Sequence, residues 1–262
     1  MGHDRNGLKN LPLRAAALWP IIVVAFLRVR SANADGAPAP LACLERHYPA
    51  HAVNVDDAWS LVVDGGAAIP YDDARARTFE ERLNHPTVRD VFADRYQPGP
   101  VLPVTTADFD PGRVRIEALL RAAYATKRLV DVSFIDERVR VNRAIVPALA
   151  RVEQRLRTAI AADPSLTPFL RHRGGGYAAR AIAGTDRPSA HAFGIAVDIN
   201  VARADYWRWQ KPPAPLRWRN RIPQAIVDAF EAEGFIWGGR WYHYDTMHFE
   251  YRPELLDQSC YP

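Results

Sequence analysis

The chain predicts an α+β fold, and three observations point to it. Amphipathic helices are patterned over 114–125, 141–162 and 223–233. A cleanly alternating strand, GIAVDINV, occupies 194–201. An aromatic, strand-like run, FIWGGRWYHYDTMHFEY, fills 235–251. With 262 residues, 48% hydrophobic and 24% charged, the chain has ordinary globular composition. That excludes disorder, a collagen-like repeat and a disulfide-dense miniprotein. The length allows a substantial core in one or two domains.

The N-terminal 34 residues read as a signal peptide or an N-terminal anchor. Arg5, Lys9 and Arg14 precede the apolar run AAALWPIIVVAFL, and Ala32-Asn33-Ala34 fits a small-x-small cleavage site. The run is short of the ~20 residues a membrane span needs. Arg28 and Arg30 follow it, where signal peptides usually avoid positive charge, so an uncleaved anchor stays open. Either reading places the body outside the cytoplasm, in the periplasm or cell envelope, with membrane contact only through an uncleaved leader. The formal charge of +4 belongs to this leader. Five basic residues and one acidic residue precede Asp35, leaving 29 of each from Asp35 onward. The balanced body gives no support for nucleic-acid binding.

Residues 35–43 read as a Pro-containing linker, and 44–262 as a single domain. Cys43 and Cys260 lie near the two ends of that domain. In an oxidising compartment an even pair predicts one disulfide; two free thiols are the alternative. Leu61-Val62-Val63 reads as a strand. Residues 76–96 suit short helices broken at Pro86. In 141–162, Ile145, Leu149, Val152, Leu156 and Ile160 make an apolar stripe opposite an arginine-rich face. Gly174-Gly175-Gly176 lacks the Gly-Lys-Ser/Thr continuation of a phosphate loop and reads as a plain turn. In 223–233, Pro223 opens the helix and Gly234 follows its end. The segment 44–130 carries no legible chemistry.

Chemistry concentrates in two places. His191 and Asp198 are seven residues apart, so a straight strand puts them on opposite faces. A bend at Gly194 would let them converge. His248 sits in Asp245-Thr246-Met247-His248-Phe249-Glu250. Two imidazoles and a carboxylate suit a catalytic zinc with its fourth position open.

Ser189-x-His191-x-x-Gly194-x-Ala196-x-Asp198, followed by Asp245-x-x-His248, resembles the M15 family of zinc peptidases. The similarity extends to Tyr177-Ala178-Ala179-Arg180 and to Phe235-Ile236-Trp237-Gly238-Gly239, and covers about 140–255. Known members include D-alanyl-D-alanine carboxypeptidases of the VanY type and L-alanyl-D-glutamate endopeptidases. The resemblance implies a small antiparallel sheet with helices packed on one face and a zinc cleft on the sheet. It implies His191, Asp198 and His248 as ligands of Zn2+ and Asp245 as general base. Glu250 competes for the base role, because on a regular strand it shares a face with His248; otherwise it orients an imidazole. A turn before Thr246 would bring Asp245 round.

Arg180 is the candidate for polarising the scissile carbonyl or binding a substrate carboxylate, although 31 of the chain's residues are arginine and most arginines are surface residues. Ser189 either hydrogen-bonds near the metal or caps a turn. His243 either stabilises an oxyanion or sits at the cleft rim. Tyr177, Trp237, Trp241 and Tyr242 are candidate cleft residues, with core packing as the alternative for the aromatics. His47 and His51 are four apart, but Pro49 breaks the helix that a metal pair would need. The expected function is an exported zinc peptidase acting on peptidoglycan stem peptides and releasing terminal D-alanine. The alternatives are L-alanyl-D-glutamate endopeptidase, a cell-wall-binding module with structural zinc, and an amidase acting on other substrates.

Overall fold

The computed structural model describes residues 36–262 apart from 65, 67, 125–127 and 212–214, so the leader lies outside the described residues. The body is α+β. Helix α1 (Ala39–His47) begins inside the stretch expected to be linker, with Pro40 in its first turn. Leu41, Cys43 and Leu44 are buried on one face of it, so apolar burial overrides the linker-like composition there. Strands β1 (Ala50–Val55), β2 (Ala58–Val63) and β3 (Ala68–Pro70) form an antiparallel meander. Helices α2 (Phe79–Asn84) and α3 (Val88–Val91) flank Pro86, as expected. Each starts with a capping box, Thr78 with Glu81 and Thr87 with Asp90.

After α4 (Glu117–Ala123), strands β4 (Leu129–Phe134) and β5 (Glu137–Asn142) form a hairpin. The long helix α5 is therefore shorter than its periodicity implied. It runs Val146–Ala162, because Val141 and Asn142 pair in β5 and Pro147 sets its first turn. Helix α6 (Thr167–Leu170) leads into the sheet that carries the site. Its strands are β6 (Arg173–Gly175), β7 (Ala196–Asn200), β8 (Phe235–Trp237) and β9 (His248–Tyr251), in the order β6-β7-β9-β8, all antiparallel. Between β8 and β9 the chain leaves the sheet, so 235–251 is two short strands around a loop.

Helix α7 (Gln224–Glu231) packs against α5 and β8. Its Phe230 stacks on Phe249 of β9 with centroids 3.9 Å apart. Burying such rings contributes about 1.5–3 kcal/mol each. A last short helix, α8 (Pro253–Leu256), precedes the C-terminal turn carrying Cys260, which is disulfide-bonded to Cys43 with Cα atoms 5.1 Å apart. Among the described residues no helix is long and apolar enough to cross a membrane.

Candidate metal centre and cleft

Strand register builds the centre. Asp198 lies directly opposite His248, Val197 opposite Phe249, and Ala196 opposite Glu250. Cross-strand partners share a face, and the face alternates along each strand. Asp198, His248 and Glu250 therefore project together into the cleft, while Val197 and Phe249 face the core.

His191 arrives from a different element, a 3-10 turn over Ala190–Phe193. Ser189 caps this turn, its Oγ accepting the His191 N–H at 3.4 Å. The turn ends at Gly194, whose φ of 70° lies in the left-handed region. A Cβ there would lie 2.8 Å from the Asn142 nitrogen, so both conformation and space call for glycine. The bend turns the odd spacing of His191 and Asp198 into convergence.

The inner atoms sit close together. His191 Nε2 is 3.1 Å from Asp198 Oδ1 and 3.2 Å from His248 Nδ1, and His248 Nδ1 is 3.1 Å from Asp198 Oδ1. A tetrahedral zinc site with ~2.0–2.1 Å bonds has ligand atoms roughly 3.3 Å apart. The outer nitrogens are both occupied. His191 Nδ1 donates to the Gly176 carbonyl at 2.5 Å, and His248 Nε2 donates to Glu250 Oε2 at 3.0 Å. With those protons placed outward, both inner nitrogens present lone pairs, and the set fits a divalent metal. The glycine stretch expected as a plain turn supplies one of these acceptors. Arg173–Gly175 is strand β6, Gly175 pairs with Asp198, and a Cβ on Gly176 would lie 2.3 Å from the Arg140 carbonyl oxygen.

Charge follows the geometry. With no metal bound, the inner nitrogens can carry protons as well. Burial alone would raise the Asp198 pKa, but hydrogen bonds from both imidazoles then outweigh it and hold the carboxyl well below the usual range. Burial opposes charge on His248, yet its bonds to Asp198 and Glu250 push it up to about 10. Glu250 is held at about 2, against burial, by His248 and by the Arg115 and Arg252 guanidiniums. Arg252 Nη1 donates to Glu250 Oε1 at 3.1 Å, and its Nε donates to Glu254.

Asp245 lies in the turn before β9, where its carbonyl accepts the His248 N–H at 3.2 Å and its own N–H donates to Gly238. Its Oδ1 is buried with no hydrogen-bond partner among the described residues. Burial pushes this carboxyl up to about 6, against the attraction of His248.

Around this centre lies a cleft of about 290 Å³. Arg180 lines it, exposed, its guanidinium in no hydrogen bond or ion pair among the described residues. His243 lines it with its ring Nδ1 donating to Asp110 Oδ2 at 2.7 Å and its backbone N–H donating to Asp110 Oδ1 at 3.0 Å. Trp241 also lines it, its ring 5.7 Å from that of His248 and its Nε1 bonded to the Pro111 carbonyl. Three expected cleft residues are elsewhere. Trp237 is fully buried in the core, where its Nε1 donates to the Thr246 carbonyl. Tyr177 and Tyr242 are not among the lining residues; the Tyr177 N–H pairs with the Arg140 carbonyl, which holds its backbone along β5.

The structure adds residues that the sequence reading passed over. Arg113 and Arg115 line the cleft, and Asp110 clamps His243 from 133 positions away. Tyr206, Trp207 and Trp209 form an aromatic wall, docked where Tyr206 bridges to Asp245. The contributors from 110–115 belong to the segment that had shown no legible chemistry.

Residues 183–251 match an M15 peptidase family model described as D-alanyl-D-alanine carboxypeptidase. The match supports the M15 family for that stretch, which holds the three candidate ligands and Asp245 and begins just after Arg180. No curated protein and no solved structure matches the chain at a significant level.

Proposed function

We propose that this chain is an exported, zinc-dependent peptidase that hydrolyses peptidoglycan stem peptides and releases terminal D-alanine. One observation carries the reading: His191, Asp198 and His248 converge in the same cleft as the buried Oδ1 of Asp245, which has no partner among the described residues, inside the stretch that matches the carboxypeptidase family. Bound zinc supplies Lewis acidity that makes water nucleophilic near neutral pH and polarises the scissile carbonyl.

The chain's own residues do the rest. Asp198 and the two imidazoles hold the ion, while Gly176 and Glu250 keep each ring in the required tautomer and orientation. Asp245 takes the proton of the attacking water and returns it to the leaving amine. His243, oriented by its two hydrogen bonds to Asp110, faces the carbonyl oxygen as negative charge develops there. Arg180 binds the terminal carboxylate of the substrate through its planar donor fork. Trp241 walls the centre and limits access of bulk water.

The three-ligand set argues against a purely structural zinc. A structural site closes with a fourth protein ligand, and none joins the cluster among the described residues. Export rests on the leader pattern, and the disulfide is in keeping with it.

The specificity is tested with pentapeptide stems, free or amidated at the C-terminus. Wild-type protein should release D-alanine from the free acid, and Arg180→Ala should slow that substrate more than the amide. Cleavage between L-Ala and D-Glu with no D-alanine released would transfer the reading to the endopeptidase.

A further inference from the structure

A second convergent cluster lies away from the cleft. Cys43, His47, Asp257 and Cys260 each offer one ligand atom, and these atoms all lie within 4.8 Å of one another. None of the four lines the cleft. Cys43 and His47 are four apart on α1, hence on one face of the helix. Asp257 caps the 3-10 turn that carries Cys260, its Oδ1 accepting the Ser259 N–H. Both cysteines are fully buried and disulfide-bonded.

The disulfide uses the two sulfurs and Asp257 is held by Ser259 and Arg46, which leaves the His47 imidazole as the unsatisfied member of the set. His47 Nε2 is buried with no hydrogen-bond partner among the described residues, 3.8 Å from Asp257 Oδ2. A buried imidazole nitrogen left unbonded is costly unless something else binds it. Two sulfurs, an imidazole and a carboxylate are a complete four-ligand set for zinc. Arg46 adjoins the set, with Nη2 3.1 Å from Asp257 Oδ2 and 3.9 Å from Cys260 Sγ. A guanidinium beside sulfur favours the thiolate. It also balances charge, since two thiolates and a carboxylate then face one divalent ion and one guanidinium.

We propose that Cys43, His47, Asp257 and Cys260 form a redox-gated second zinc site, closed as a disulfide when oxidised and closed by Zn2+ when reduced. Reduction by a dithiol transfers two electrons and two protons, breaking the Sγ–Sγ bond and leaving two thiols while the dithiol becomes a disulfide. Zinc binding then displaces both thiol protons to solvent and forms two Zn–S bonds. The C-terminal segment thus stays fastened to α1 in either redox state. The inference is independent of the cleft reading, because the cleft set holds no sulfur.

The test uses the full chain, oxidised and then reduced with a phosphine, which supplies the two electrons in place of the dithiol, becomes a phosphine oxide with oxygen from water, and does not bind zinc as a dithiol would. Elemental analysis after desalting should show one more equivalent of zinc in the reduced protein than in the oxidised. Loading with Co2+ should produce a thiolate-to-metal charge-transfer band in the reduced protein only; cobalt in the His/Asp/His cleft cannot give it. His47→Gln and Asp257→Asn, which leave the cysteines in place, should each lose the extra equivalent or bind it at least tenfold more weakly in competition with a chelator. Equal zinc content in both redox states, with no band, would overturn the proposal. So would a band and an extra equivalent that persist unchanged in both variants, or loss of the folded circular dichroism spectrum on reduction with zinc present.

Discussion

Asp198 and His248 are direct register partners across β7 and β9, with Oδ1 and Nδ1 3.1 Å apart. They stand 50 residues apart in sequence, yet one antiparallel pairing fixes their separation. A register slip by a single residue would send either side chain to the opposite face. The candidate centre is therefore as well defined as the sheet itself, and only His191 depends on a turn.

Removing either imidazole should empty the centre. His191→Ala and His248→Ala should bind less than a tenth of the wild-type metal after dialysis, as read by elemental analysis. Full metal content in both variants would rule out the site.

Asp245→Asn is nearly isosteric and cannot take a proton. It should retain metal and melting temperature while kcat falls roughly 10²–10⁴-fold. Near-normal turnover would move the base role to Glu250.

Glu250→Gln leaves His248 Nε2 a neutral acceptor in place of a carboxylate and strands part of the Arg252 charge. Outer partners of this kind are worth about 10–100-fold in metal affinity. A chelator competition should show a loss of that size, with the fold retained; unchanged affinity would mean that Glu250 serves only the ion network with Arg252.

Asp110 gives a pH prediction that does not involve the metal ligands. Burial would raise its pKa, but the His243 hydrogen bond and the Arg113 guanidinium hold it below the ordinary carboxylate range. A carboxyl depressed in the folded state adds stability above its unfolded pKa of about 3.9, and that contribution is lost as pH falls through the lower folded value. Asp110→Asn should lower the melting temperature at pH 7 and flatten its decline below pH ~4. An acid limb identical to wild type would refute the assignment.

The disulfide spans 217 residues. In the chain-entropy description such a cross-link contributes at most about 5 kcal/mol, commonly less. Reduction in the presence of a chelator, which keeps zinc from Cys43 and Cys260, should lower the denaturant midpoint without changing the folded spectrum. An unchanged midpoint would mean that the unfolded chain gains no freedom from the cut.

The α+β class was legible because its carriers are periodic. The apolar alternation of GIAVDINV marks strand β7, although as an internal strand it is buried on both faces apart from Asp198, and Leu149, Val152 and Leu156 of the apolar stripe in 141–162 lie on the buried face of α5. The hairpins β1–β2 and β4–β5 were not legible. Their two-residue turns, Asp56-Asp57 and Ile135-Asp136, put both residues at positive φ without the glycine that usually announces such a turn. Spacing suggested His191, Asp198 and His248 as a group, since one bend and one strand pairing bring them together; Asp245 as the base came from the resemblance to the M15 peptidases. Asp110, Arg113 and Arg115 had no such signal. An arginine or aspartate in a loop looks the same whether it faces solvent or a cleft, and long-range contacts such as Asp110 with His243 leave no mark on periodicity.

The proposed hydrolysis of peptidoglycan stem peptides at the His191–Asp198–His248 centre is best checked by the masses of pentapeptide muropeptides incubated with zinc-loaded protein, with chelator-stripped protein and with His248→Ala. Loss of one D-alanine residue per stem is expected with the zinc-loaded protein alone. Unchanged masses with zinc-loaded, folded protein, or the same products after the metal is stripped, would contradict it.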